Sequence, residues 1–194
     1  MTPTFRSLFI TLAFFIFLQS CDNPNVIKDL SGDTFQLIDS DSAAVDFPSD
    51  FNGDVVAVSF IYTHCPDVCP LITANLSNIQ NQLQDTSGIH FVEISFDPKR
   101  DTPSVLRKYK GLYGLNNQFS LLTGDSTNIN SVLGRLDIVA EKTYADSMDS
   151  TSGNYFMRHT NRLYLVDRKG RVRYQYPASV VPPENVIEDI KKIR

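Results

Sequence analysis

Two cysteines four positions apart lie in Tyr62-Thr63-His64-Cys65-Pro66-Asp67-Val68-Cys69-Pro70. Pro66 suits a first helical position, and four-residue spacing on a helix puts both sulfurs on one face, able to converge on one atom. The positive end of a helix favours thiolate, which serves metal ligation and disulfide exchange alike. A Cys65–Cys69 disulfide, formed on oxidation, closes too short a loop to add much chain entropy, so the pair reads as a redox-active or metal-binding device rather than a staple. Two thiolates leave a copper(I) ion in want of a third donor, and imidazole is the nitrogen ligand that copper accepts beside soft sulfur. The chain has three histidines. His159 follows a long polar stretch and precedes a strand, His64 adjoins Cys65 and is expected to point away from the sulfurs, and His90 falls inside a strand. A single histidine is more often satisfied locally than it is a ligand, so spacing alone does not assign the third donor.

The elements that must position these residues alternate in period. Val55 to Tyr62 (VVAVSFIY) is a continuous apolar, β-rich run, and Ile72, Leu76, Ile79 and Leu83 then mark an amphipathic helix. The cysteines therefore fall where a strand becomes a helix. Ile89 to Phe96 predicts a second strand, Asp101-Thr102-Pro103 a cap and first-turn proline for a helix to Lys110, and Phe119 to Leu122 a third strand. Ile129, Val132, Leu133 and Leu136 predict another helix. Glu141 to Met157 has no periodicity and reads as a long functional loop. Arg162 to Val166 and Arg171 to Tyr176 predict a hairpin about Asp167-Arg168-Lys169-Gly170, and Pro182-Pro183 opens a last helix with Val186, Ile187 and Ile190 inward. The pattern predicts an α/β thioredoxin-like sandwich: a central mixed sheet flanked by helices, with an N-terminal strand extension.

With 194 residues, 42% of them apolar and 21% charged, the chain has room for one globular domain and a tail. A net charge of −4 without a basic run gives no footprint for nucleic acid. In residues 1–20 Arg6 is the only charged side chain, and Leu8 to Leu18 (LFITLAFFIFL) is too short to cross a bilayer comfortably. It matches the apolar region of an export signal ending in Leu18-Gln19-Ser20-Cys21, which resembles a bacterial lipobox, although Gln19 stands where a small or apolar residue is usual. The expectation is a lipoprotein signal over 1–20, lipidation of Cys21, a tether over 21–31 and the thioredoxin-like domain over 32–194. The domain would then be anchored to a membrane in the bacterial cell envelope, facing the periplasm or the outer side of the inner membrane. In such a compartment idle thiols oxidise, which again makes Cys65 and Cys69 a working pair.

Three separated segments, Tyr62 to Pro70 (YTHCPDVCP), Ser95 to Pro103 (SFDPKRDTP) and His159 to Gly170 (HTNRLYLVDRKG), together resemble the SCO/SenC family. The resemblance runs from about Phe35 to Tyr176. It implies copper held by Cys65, Cys69 and His159, and a metallochaperone role, rather than turnover of a small substrate, in building the dinuclear copper (CuA) site of cytochrome c oxidase. The implied partners are the oxidase subunit carrying that site, an upstream copper donor and a thiol reductant. Asp67 and Asp97 match motif positions without a firm ligand role. Arg158 departs from the family pattern, where Asp commonly precedes the histidine. If that acid orients the imidazole or meets a partner, Arg158 weakens copper binding or alters docking; if position 158 faces solvent, it does neither.

Three rivals stay open at this level. A thiol–disulfide oxidoreductase or redox sensor would use Cys65 and Cys69 without His159, though redox catalysts of this fold place two residues between their cysteines, not three. A peroxidase of the peroxiredoxin type places threonine three positions before its reactive cysteine, and Tyr62 stands there. Structural zinc asks for four ligands, which His64 or Asp67 would have to complete. The leader reading has its own test, the mass of the mature N-terminus: a diacylated Cys21 is expected, and a free Met1 or bare Cys21 removes the tether.

Overall fold

The computed structural model describes residues 25–144 and 155–194; the leader and Cys21 lie outside the described residues. Among the described residues, ten strands and four α-helices follow one another. β1 (Lys28–Asp29), β2 (Phe35–Asp39) and β3 (Ala44–Phe47) precede β4 (Val55–Ile61), α1 (Val68–Gln82), β5 (Ile89–Ser95) and α2 (Pro103–Leu112). Next come β6 (Phe119–Thr123), α3 (Ser126–Arg135), β7 (Ala140–Thr143) and β8 (Phe156–His159). The chain closes with β9 (Leu163–Val166), β10 (Arg171–Tyr176) and α4 (Pro183–Ile193).

Eight strands form one mixed sheet in the order β1-β10-β9-β4-β5-β6-β2-β3. β4, β5 and β6 run parallel at its centre, and β9 returns antiparallel to β4. Every residue of β4 is buried, as its unbroken apolar run requires of a strand covered on both faces. α1 turns Ile72, Leu76 and Ile79 into the core, and α4 does the same with Val186 and Ile190. Thr73 of α1 and Tyr109 of α2 meet beside Glu93 of β5, so both helices cover one face. Tyr164, on the other face, donates its hydroxyl to the Leu136 carbonyl just beyond α3 at 2.6 Å. Helices on both faces of a mixed sheet with an added β2–β3 hairpin make the thioredoxin-like sandwich expected from the sequence pattern.

The structure departs from that pattern in four places. Lys28–Asp29 pairs with Arg171–Val172 and Leu30 is fully buried, so chain read as tether is partly sheet. That edge closes around Gly170, which adopts φ +73° and lies where a Cβ would come within 3.3 Å of the Ser31 Cα. The long loop is partly a hairpin: β7 pairs with β8 as a separate two-stranded sheet, and only residues 145–154 of the polar stretch fall outside the described residues. Its residues carry no apolar alternation to signal a strand, because a small hairpin off the main sheet buries little. At α2 the N-cap Thr102 makes no side-chain capping bond, and Asp101 is drawn into the site instead. Finally, α1 starts at Val68, which leaves Pro66 and Cys65 ahead of the helix.

Glu93 is an acid with no exposed surface at the centre of the sheet, accepting a 2.8 Å hydrogen bond from Thr73 while its Oε2 has no partner. Burial pushes its pKa from 4.5 up to about 8. Below pH 4.5 folded and unfolded chains are both protonated there, and the group adds no pH dependence. Between 4.5 and 8 the unfolded chain ionises while the folded one stays neutral, so Glu93 draws stability down as pH rises through that window. Urea midpoints from pH 4.5 to 9 are expected to show that decline in the parent and a shallower one in Glu93→Gln; identical slopes would show that Glu93 ionises freely.

Candidate metal centre

The parallel strands β4 and β5 deliver Tyr62 and Phe96 to the same end of the sheet, and the segments that follow them build the site. The turn after β4 is pinned from below by Asp101, a carboxylate with no exposed surface. Its Oδ2 accepts from the Thr63 amide at 3.0 Å and the Ser95 hydroxyl at 2.6 Å, and its Oδ1 accepts from the Thr63 hydroxyl at 2.5 Å. Three donors compensate the burial of one charge and hold the turn that precedes Cys65. Cys65 then sits ahead of α1 and Cys69 in its first turn, and the Cys69 amide donates to the Cys65 sulfur at 3.4 Å. The two sulfurs therefore converge through a turn folding back on a helix start, not through one helical face.

His159 ends β8, where it pairs with Ala140 across the small hairpin. Its ring packs against Phe96, with centroids 4.8 Å apart, and edge-on to Tyr62 at 6.0 Å. Its Nδ1 lies 3.2 Å from the Thr160 carbonyl. A carbonyl only accepts, so this contact puts the ring proton on Nδ1 and leaves the Nε2 lone pair facing inward. Desolvation holds the imidazole pKa below its ordinary value, which keeps that lone pair available. Nε2 stands 3.7 Å from the Cys69 sulfur, and the three donor atoms of Cys65, Cys69 and His159 all lie within 4.8 Å of one another. Bonds of about 2.3 Å to sulfur and about 2.0 Å to nitrogen, at a trigonal angle, separate those two atoms by about 3.7 Å. The Cys69–His159 spacing matches that value, and with all three donor atoms within 4.8 Å the trio could hold a metal ion.

Cys69 has no exposed surface, and burial pushes its thiol well above the ordinary cysteine range. Burial therefore opposes the thiolate that the helix start favours. A cation would supply the missing compensation and displace the proton. Cys65, at 9% exposure, forms the rim.

The other candidates fall outside the trio. The His64 side chain is 54% exposed and turns toward Thr63 and Asp101. His90 lies near the opposite end of β5, 2.9 Å from Asp54. Asp67 is the exposed N-cap of α1 and makes no capping bond. Asp97 is buried and engages Arg100 and the Tyr155 hydroxyl. Arg158 points away from His159, 72% exposed and paired across the hairpin with Glu141. Ring orientation comes from the Thr160 carbonyl, so the solvent-facing reading of position 158 holds for the imidazole. Sequence reasoning missed Asp101 as a turn anchor and Tyr155 altogether; the first sat in a quoted motif, the second in a stretch without periodicity.

A family model described as SCO1/SenC matches residues 25–194. The chain belongs to the SCO1/SenC family. It is similar to a SCO2-like protein of Rickettsia prowazekii, 34% identical over 142 residues that cover 72% of this chain and 66% of that relative. Among solved structures, Bradyrhizobium japonicum ScoI with copper bound is 31% identical with a TM-score of 0.71, over 83% of this chain and 98% of that one. A SCO1/SenC family lipoprotein from Bacillus anthracis is 26% identical with a TM-score of 0.72, over 88% of this chain and 95% of that one. Among the described residues of this SCO1/SenC member, no helix is long and apolar enough to cross a membrane.

The two thiols are expected to differ in reactivity. In the reduced, metal-free protein at pH 8, iodoacetamide should modify Cys65 first and Cys69 about tenfold or more slowly, since each unit of thiol pKa is a factor of about ten in thiolate. Peptide mapping of a time course reads this, and equal rates would contradict the buried, protonated state of Cys69.

Proposed function

We propose that this protein is a copper metallochaperone that holds one copper ion on Cys65, Cys69 and His159 and delivers it to the dinuclear copper site of a cytochrome c oxidase subunit. The 3.7 Å approach of the Cys69 sulfur to the His159 Nε2 carries the reading. Two soft sulfurs and one imidazole suit copper, and the similar ScoI structure has copper bound. Zinc fits less well: among the described residues the donor group stops at three, and neither His64 nor Asp67 belongs to it.

The residues divide the work by burial. Cys69 and His159 form the inner wall, while Cys65 at the rim is where an acceptor's ligand can approach and displace a sulfur. Loading requires both thiols reduced, so a thiol reductant acts before the upstream copper donor. Lipidation at Cys21 would keep the domain at the envelope membrane, facing the periplasm or the outer side of the inner membrane; the similar Bacillus anthracis protein is described as a lipoprotein.

A second reading, a thiol–disulfide oxidoreductase acting on the same acceptor, draws support from the Cys69 amide lying 3.4 Å from the Cys65 sulfur, which keeps the pair close enough to exchange. One experiment separates the two. Copper(I) stoichiometry of the reduced protein is expected to be one ion, with tight binding lost in each of Cys65→Ala, Cys69→Ala and His159→Ala. Full binding by His159→Ala, with thiol exchange as its measurable activity, would favour the oxidoreductase.

A further inference from the structure

His159 depends on a strand that belongs to no part of the main sheet. β8 pairs only with β7 among the described residues, so something besides sheet hydrogen bonds must hold the imidazole over the sulfurs. Three contacts do so around one side chain. The Arg100 guanidinium forms an ion pair with Asp97 through Nε, donates from Nη1 to the Tyr155 carbonyl at 3.0 Å, and stacks over the Tyr155 ring at 3.7 Å. The guanidinium carbon also lies 5.6 Å from the centroid of the Tyr62 ring. Tyr155 in turn donates its hydroxyl to Asp97 at 2.6 Å, and the Met157 amide donates to the Tyr62 hydroxyl at 3.3 Å. Arg100 thus joins the turn after β5, the strand leading to Cys65 and the start of the strand leading to His159.

We propose that Arg100 is the positioning residue of the metal centre, holding the His159 strand against the cysteine turn. The inference rests on the copper reading given above but concerns a residue that touches no ion. A guanidinium is suited to the task because its planar fork serves a carboxylate and a carbonyl at fixed angles while its face covers an aromatic ring. A lysine would keep the charge opposite Asp97 and lose the second bond and the stacking. Asp97 is 2% exposed and Arg100 19%, so removing the arginine also leaves a buried carboxylate with the Tyr155 hydroxyl as its main side-chain partner. His159 touches Phe96 and Tyr62, whose rings sit on the same framework, so loosening Tyr155 shifts the imidazole more than it shifts the sulfurs.

The test uses the full chain with reduced thiols, copper(I) as the probe and a competing chelator. Arg100→Met is expected to lower copper affinity by about ten- to a hundredfold, with Arg100→Lys in between. In a His159→Ala background, where a weaker competitor reads the residual two-sulfur affinity, the same Arg100→Met change should cost less than about twofold. In the metal-free protein the His159 ring proton resonances should lose the shifts imposed by Phe96 and Tyr62 in Arg100→Met and in part in Tyr155→Phe, a variant that keeps the ring and removes one hydrogen bond. Parent affinity in Arg100→Met, an equal cost in both backgrounds, or unmoved ring resonances in Arg100→Lys and Tyr155→Phe would each overturn the proposal. Should Arg100→Met not fold, the two milder variants decide. Failure of the parent to bind copper would strike the function and leave the ring resonances to judge the positioning.

Discussion

A sulfur and a ring nitrogen ninety positions apart in the chain stand 3.7 Å from each other, and nothing local to either residue puts them there. The parallel pairing of β4 with β5 brings the ends of both strands to one level. The antiparallel return of β9 beside β4 then obliges the preceding segment, with His159, to arrive at that same level. Register in a buried sheet is strongly specified, because a slip of one residue would turn every core side chain outward. The site inherits that level from the sheet, while the cysteine turn and the separate His159 hairpin are set in place by hydrogen bonds and ring packing beyond it.

Burying acids around such a site has a cost, and this chain meets it in three different ways. Asp101 collects hydrogen bonds from Thr63 and Ser95 and spends them on the cysteine turn. Asp97 takes Arg100 and the Tyr155 hydroxyl, and links the turn after β5 to the histidine strand. Glu93, given one donor and an unpartnered oxygen, is held protonated instead. Two of the three sit where charge fixes geometry, while the third lies deeper, against Thr73 and Tyr109. The same logic applies to Cys69, whose burial favours the thiol until a cation arrives.

Much of the scaffold was legible from periodicity. Val55 to Tyr62 reads as a two-sided buried strand and is one; the stripe from Ile72 to Ile79 reads as a core-facing helix and is one; Asp167 to Gly170 reads as a turn and forms one. These segments bury enough apolar surface for pattern to dominate. Lys28–Asp29, β7 and β8 were not legible, because short strands at an edge or off the main sheet are held by partners distant in sequence and carry polar residues. Cys65 was misread for a related reason: the proline suggested a helix start at residue 66, but the helix starts at Val68 and the turn ahead of it is anchored by Asp101.

By itself the sequence determined the donor types, the spacing of the two cysteines, the order of strands and helices, and the three motif segments that mark the family. Those are properties of local composition and period, written where they act. The family resemblance already pointed to His159, but only the tertiary structure brought its ring against the sulfurs, turned Arg158 away, and set Arg100 and Tyr155 to brace the histidine strand. Each of those depends on which face of a strand or turn meets another segment, a relation set by packing between residues tens of positions apart and carried by no single stretch of the chain.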